Sequence, residues 1–403
     1  MFPAGAAEQT FTISCWVQGL SWLWQAVAAL RGMPRLPDLT RIDADSLPAL
    51  PDADGPHLSV LVPACNEEPT IQATLRSLLE STGLRLQIIA IDDRSTDRTG
   101  ALMEQVAAHA AHDFPQHTLT ILRNRDLPAG WLGKPHALHL AAQQSTAPWL
   151  LFTDGDVNFA PRALELALRQ ALATQADHLV LMPTLMSDGW AEDAVAATMQ
   201  VLAQWNTHLW KVADPRARDF LGVGGFNLLR SEVYARLGGM AALRMEVLED
   251  MTLGWLVKHA GYRSCVVLGH GLVTIRWIQG VFGLVGNLEK NGFAVFRYSV
   301  LLTTAACLAL VISVFLPLAA MAAAGWTLAA GLLTYLSVAL VFQANRRMSG
   351  VSPLAAVLFA PAAAILCLAF ARSMVLALLR RGVLWRGVLY PLSDLRRHAI
   401  RWR

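Results

Sequence analysis

Charge is scarce in this sequence. Asp, Glu, Lys and Arg make up 16% of its 403 residues, against 54% hydrophobic residues, whereas soluble domains carry about 25% charge. The shortage points to segments held in lipid. Cysteine is scarce too. The five, Cys15, Cys65, Cys265, Cys307 and Cys367, are scattered, odd in number and without a CxxC pair, so neither a disulfide framework nor a zinc site is expected. Cys307 and Cys367 fall in apolar runs, where a thiol normally packs. The net charge is only +3 and gives no reason to expect a nucleic-acid partner. Gly222-Val223-Gly224-Gly225 lacks the G-x-G-x-x-G spacing and an acidic ribose partner. It is not a dinucleotide fingerprint and reads instead as close backbone approach near a cleft. There is no internal repeat.

Long apolar runs are present at both ends. Residues 11–30 carry no charge and match the roughly 20 residues a bilayer requires. No positive stretch precedes them and no A-x-A-like site closes them, which argues against a signal peptide. Gln18 and Gln25 leave an interfacial helix as the alternative to a span. Arg31, Arg35 and Arg41 follow, and the positive-inside rule then puts the downstream chain in the cytoplasm. Residues 298–323, 326–342 and 353–379 are three further candidate spans, with 343–352 between the last two reading as a polar loop. The third is interrupted by Pro361 and Arg372. If all of these crossed, Arg380, Arg381, Arg386, Arg396, Arg397, Arg401 and Arg403 would lie outside, against the same rule. A re-entrant hairpin broken at Pro361, or one span fewer, is expected instead. The basic tail would then lie against anionic headgroups or be a solvated terminus. This divides the chain into an anchor and linker (1–50), a central domain (51–297) ending in an interfacial helix, and a membrane region with a basic tail (298–403).

In the centre, short apolar runs at 58–64, 86–93, 118–124 and 149–156 read as strands. Helical stretches with apolar residues at helical spacing, such as Ile71, Leu75, Leu78 and Leu79, lie between them. Alternating strands and helices imply a parallel sheet, which places ligands at the carboxyl ends of its strands. The acidic residues are at those ends: Glu67 and Glu68 after the first, Asp92 and Asp93 after the second, Asp154 and Asp156 after the last. An Asp-Gly-Asp at a strand end is compatible with an ordinary turn. It also suits a hard divalent cation, which takes one or two carboxylates together with phosphate oxygens. Ser95 or Thr96 is positioned to cap the next helix. Glu249-Asp250 opens a helix closed by Gly261, where carboxylates favour the dipole. His270 could complete a metal shell or be structural. Trp205, Trp210 and the segment 278–296 could line a lipid entrance or form plain core.

These motifs, LSVLVPACNEEPTI, IIAIDDRSTDRTG, GWLGKPHAL, LLFTDGD and EVLEDMTLGWLVKHAGYR, resemble in order and spacing the family-2 glycosyltransferases with the GT-A fold. DLPAGWLGKPHAL and ADPRARDFLGVGGFNLLRSE are most similar to the membrane-bound, hopanoid-associated or carotenoid subgroup. The resemblance implies an α/β fold, a Rossmann-like mixed, mostly parallel sheet flanked by helices, with transmembrane helices on either side. It implies an inverting transfer of one sugar from a UDP-sugar to a membrane lipid at the cytoplasmic face of the inner membrane, with Mg²⁺ or Mn²⁺ as cofactor. Pro63, Cys65 and Glu67 correspond to the first nucleotide-binding strand end and Asp93 to the uracil contact. Lys134 lies in the loop approaching the diphosphate, and Asp154 and Asp156 correspond to the metal-holding DxD motif. Asp250, beside Glu249, corresponds to the general base. Processive polysaccharide synthases, the alternative, carry Gln-x-x-Arg-Trp after the base. Here Val273 replaces the glutamine while Arg276 and Trp277 remain, as acceptor-side groups or as interfacial anchors.

Overall fold

The computed structural model describes residues 4–52, 54–277 and 280–402. The chain forms two compact units that interleave along the sequence. One contains residues 36–186, 211–276 and 384–403; the other contains 1–35, 187–210 and 277–383. Arg403 and Ile278-Gln279 of the segment 278–296 lie outside the described residues.

The first unit is built on a seven-stranded sheet. Its strands are β1 (Leu58–Ala64), β2 (Leu86–Asp93), β3 (Thr118–Asn124) and β4 (Trp149–Phe152), then β6 (His178–Leu181), β8 (Asn227–Arg230) and β9 (Ser264–Val267). A three-stranded sheet is made of β5 (Val157–Phe159), β7 (Thr184–Leu185) and β10 (Val273–Ile275). The large sheet runs β3-β2-β1-β4-β8-β6-β9. β3, β2, β1 and β4 are mutually parallel, β8 is antiparallel to both neighbours, and β9 is parallel to β6. This is the mixed, mostly parallel sheet expected from the sequence. β1 is buried along its whole length and β4 likewise, as strands covered on both faces must be. Leu61, Ile89, Ile91, Leu138, Leu150 and Phe152 share one core with Leu253 and Val257 of the helix Glu249–His259. That packing fixes the helix whose first turn carries Glu249 and Asp250.

The second unit is helical. Three of its segments, Val300–Met321, Gly325–Ser349 and Pro353–Leu379, are long and apolar enough to cross a membrane. The helix Ala4–Gly32 is not among them, but its exposed residues Ile13, Val17, Leu20, Trp24 and Val27 form one apolar stripe at helical spacing. The glutamines within it turn inward: Gln18 donates to the Ser313 carbonyl (3.0 Å) and Gln25 to the Gln204 carbonyl (3.2 Å). Two expectations are corrected. Residues 343–349 are helix rather than loop, and the break comes at Gly350, left-handed with φ 74°. Pro361 lies in the first turn of the helix Phe359–Leu379, where its missing N–H costs no hydrogen bond, so the helix runs on without a re-entrant break. Trp205, still 41% exposed, meets Trp22 edge-on at 5.1 Å, and the Trp210 ring covers Gly32.

Candidate active site

Three adjacent parallel strands carry the acidic residues to one edge of the sheet. β1 lies between β2 and β4, with Ala64 opposite Asp92 and Leu61 opposite Phe152. Pro63, buried in β1, Cys65, Glu67, Asp93 and the 154–156 turn therefore reach the same carboxyl-terminal edge. The turn is fixed from below. The Thr153 hydroxyl donates to the Gly225 carbonyl (2.9 Å), and the Gly155 carbonyl accepts from the Thr70 and Thr74 hydroxyls (both 3.0 Å). A Cβ on Gly155 would come to 3.3 Å from Cγ of Glu67.

Lys134 joins the turn to the helix behind it. Its Nζ lies 2.7 Å from Asp154 and 2.6 Å from Glu249. Burial alone would lower its pKa; Asp154, Glu249 and Asp250 outweigh burial and raise it. For Asp156 the balance runs the other way, because burial and like charge outweigh Lys134. Its Oδ1 is buried without a hydrogen bond, and burial, then the charges of Asp154 and Glu67, push its carboxyl up to about 7. An orphaned carboxylate oxygen beside a second carboxylate fits a hard divalent cation that completes its shell with phosphate oxygens. Among the described residues no three His, Cys, Asp or Glu side chains form a ligand set by themselves. His270 is exposed and is not part of one.

Asp250 is the second residue of its helix. Its Oδ1 accepts from the Met251 N–H at 2.7 Å, and burial, then Glu249, push its carboxyl up to about 6. The Gly222–Gly225 stretch makes the close approach its composition suggests. A Cβ on Gly222 would lie 1.8 Å from the Asp250 carbonyl oxygen. A Cβ on Gly224 would lie 2.7 Å from Asp154 Oδ2 and 3.3 Å from both Asp250 Oδ2 and Lys134 Nζ. Three groups from distinct parts of the chain, at positions 134, 154 and 250, therefore surround one point.

The other end of the edge is lined by Asp93. Its carboxylate accepts from Arg94 Nε (3.0 Å) and Nη2 (2.6 Å) and from Asn124 Nδ2 (2.7 Å). A Cβ on Gly133 would stand 2.9 Å from Asp93 Oδ2, so the Gly133-Lys134 step links Asp93 to the Asp154 cluster. Burial pushes the Cys65 thiol up and keeps it neutral. Arg276 follows β10, whose last residue Ile275 pairs with Val157, the neighbour of Asp156 in the chain. Trp277 belongs to the helical unit, where its carbonyl accepts from Asn287.

Several residues went unrecognised in the sequence. Arg94 and Asn124 hold Asp93. Behind Asp250, Asn227 Nδ2 donates to the Asp250 carbonyl (3.3 Å) while its Oδ1 bonds to His178 Nε2. His178 is fully buried and its pKa is lowered to about 4 by burial. Since the Asn227 oxygen must accept, the His178 proton is on Nε2, and Nδ1 accepts from Ser264 (3.2 Å). The only available signal was a polar residue at the start of each of two apolar strands. Ser95 and Thr96 do not cap the following helix; Asp97 accepts from the Thr99 N–H (2.9 Å) instead. The basic tail also departs from expectation. Arg380 pairs with Glu289 (2.6 Å) in the helical unit. Arg386 pairs with Glu67 (2.6 Å) and donates to the Cys65 carbonyl in the sheet unit. From residue 384 to 402 the segment folds against the sheet unit, with Leu395 buried and Trp402 packed on Phe220 at 5.2 Å. The segment is folded, with Arg396, Arg397 and Arg401 left on its exposed side.

The family description Glycosyl transferase family 2 matches residues 59–252. The chain is similar to a 4,4'-diaponeurosporenoate glycosyltransferase of Staphylococcus haemolyticus, 23% identical over 234 residues, or 56% of this chain and 58% of that protein. It is also similar to a beta-monoglucosyldiacylglycerol synthase of Synechocystis sp., 31% identical over 159 residues, or 36% of this chain and 30% of that protein. The matched part spans less than two thirds of either relative. A solved mannosyltransferase of Pyrobaculum calidifontis in complex with GDP-Man and Mn2+ shares 16% identity at a TM-score of 0.49, covering 90% of this chain and 98% of that one.

Proposed function

We propose, from the match of residues 59–252 to glycosyl transferase family 2, that the chain is an inverting, metal-dependent transferase that moves one sugar from a UDP-sugar to a membrane lipid. The observation that carries this reading is the convergence of Asp154, Asp250 and Lys134 around the Cβ position of Gly224. Asp154 and Asp156 would hold Mg²⁺ or Mn²⁺, which supplies Lewis-acid stabilisation of the departing diphosphate. Lys134 neutralises Asp154 and Glu249 and can turn to the diphosphate when donor binds. Asp250 takes the proton of the acceptor hydroxyl or acid. Its raised pKa suits a base working near neutral pH. Pro63, Cys65, Glu67 and Asp93 bind the nucleoside, and Arg276 and Trp277 lie on the acceptor side.

The lipid acceptor is supported by apolar segments on both sides of the matched region in the sequence and by the acceptors named in the two relatives. The proposed arrangement is an anchor and linker at 1–50, the transferase at 51–297 and membrane segments followed by a basic tail at 298–403, in the inner membrane with the transferase cytoplasmic. The test is incubation of the full chain with radiolabelled UDP-sugars, a membrane lipid extract and Mn²⁺. A labelled product that partitions into organic solvent and disappears with EDTA supports the reading. A labelled polymer would favour a processive synthase, and no metal-dependent consumption of any UDP-sugar would remove both.

A further inference from the structure

The C-terminal segment returns to the strand edge through one tight turn. β11 (Gly382–Trp385) and β12 (Val388–Pro391) pair with each other. They are joined by Arg386 and Gly387, both with positive φ, 49° and 79°, as a two-residue hairpin turn demands. Arginine is an uncommon residue for that left-handed position. Such conformations persist where surroundings over-determine them and concentrate at functional sites.

Arg386 Nη2 lies 2.6 Å from Glu67 Oε1, and Nη1 donates to the carbonyl of Cys65, 321 positions earlier in the chain. Four residues on, the Tyr390 hydroxyl accepts from the Gly133 N–H at 3.3 Å, beside Lys134. The segment beyond is tied down as well: the Ile400 N–H donates to Glu246. A guanidinium offers five N–H donors. Two are used on Glu67 and Cys65, which leaves three on a side chain that is 39% exposed. They lie at the nucleoside end of the edge, where a pyrimidine base brings two carbonyl oxygens and a ribose brings two hydroxyls. The charge balance points the same way. Glu67 is one of the carboxylates that raise Asp156, and Arg386 is its counter-charge.

We propose that Arg386 is a donor-binding residue of this enzyme: held by Glu67 and the Cys65 carbonyl, it presents its free N–H groups to the base and ribose of the nucleoside diphosphate. The inference rests on the functional reading above and deepens it. It assigns to the C-terminal hairpin a part of the donor site that lies outside the matched region 59–252.

The test uses the full chain in detergent with Mn²⁺. UDP binding is measured by calorimetry, pyrophosphate binding by competition, and donor KM and kcat by transfer, for the wild type, Arg386→Ala and Arg386→Lys. Loss of charge-assisted hydrogen bonds is expected to weaken UDP binding and raise KM about tenfold or more. Pyrophosphate binding and kcat should stay within about threefold, less than one such bond is worth. Arg386→Lys should not rescue, because an ammonium cannot serve Glu67, Cys65 and a base together. It also provides a second folded variant should the alanine variant melt early. Unchanged UDP affinity in both variants would overturn the proposal, as would tighter binding, which would mean that the hairpin competes with the donor. A wild type that binds no UDP in the presence of Mn²⁺ would remove the functional reading, and this inference with it; a wild type that binds UDP while both variants bind it equally well removes this inference alone.

Discussion

Nζ of Lys134 lies 2.7 Å from the carboxylate of Asp154, and the same ammonium lies 2.6 Å from Glu249. One cation therefore ties the strand-end turn to the first turn of the helix that carries Asp250. Lys134→Met should leave the buried Glu249 without its counter-charge, at a cost of about 3 kcal/mol, the scale for breaking a buried pair. The melting temperature should fall, and donor KM should rise. Lys134→Arg should restore part of the stability and little of the activity.

Asp250 is pushed up to about 6. A base must be ionised to accept a proton, so kcat should be flat above that value and fall as pH drops through it. Asp250→Asn should abolish transfer while UDP binding survives, since the role proposed for the residue is toward the acceptor. A variant with near-normal turnover would remove Asp250 from the role. Both are read from initial rates across pH with the metal saturating.

Gly222→Ala would bring a methyl to 1.8 Å from the Asp250 carbonyl oxygen. Backbone cannot yield as a side chain can, so this change should destabilise by about 3 kcal/mol or more and abolish activity. Gly224→Ala meets side chains instead. It should fold, lose metal affinity through displacement of Asp154, and be detected by a higher Mn²⁺ requirement for transfer.

Asn227 and His178 act on Asp250 from behind. Asn227→Ala removes the donor to the Asp250 carbonyl and leaves His178 without its acceptor. A loss in kcat of about tenfold, the worth of one hydrogen bond's positioning, is expected with donor KM little changed. Equal effects on KM and kcat would indicate general loosening of the sheet.

Much of this was legible in the sequence because local rules governed it. β1, β2 and β3 begin and end where the apolar runs do; β1 and β2 are buried on both faces, whereas β3, at the sheet edge, is read from its alternation alone. The DGD turn, the IDD end and Gly261 after the base helix follow from turn chemistry and sheet geometry. Other features depended on partners far away in the chain. Gln18 and Gln25 read as poor membrane residues until their amide N–H groups find the Ser313 and Gln204 carbonyls. Residues 343–349 are polar enough to read as loop, yet Asn345 is buried and donates to the Val341 carbonyl at 2.8 Å. Arg386 looked like one charge among seven in a basic tail. Nothing within ten residues of it announces Glu67 or Cys65.

The central claim is that Asp154 and Asp156 hold a divalent cation against the diphosphate of a bound nucleotide. Titration of Mn²⁺ into the full chain, followed by electron paramagnetic resonance with and without UDP, addresses it directly. Tight binding of one Mn²⁺ that requires UDP and is lost in both Asp154→Asn and Asp156→Asn is the predicted result. Binding that ignores UDP, or that survives both substitutions, would contradict it.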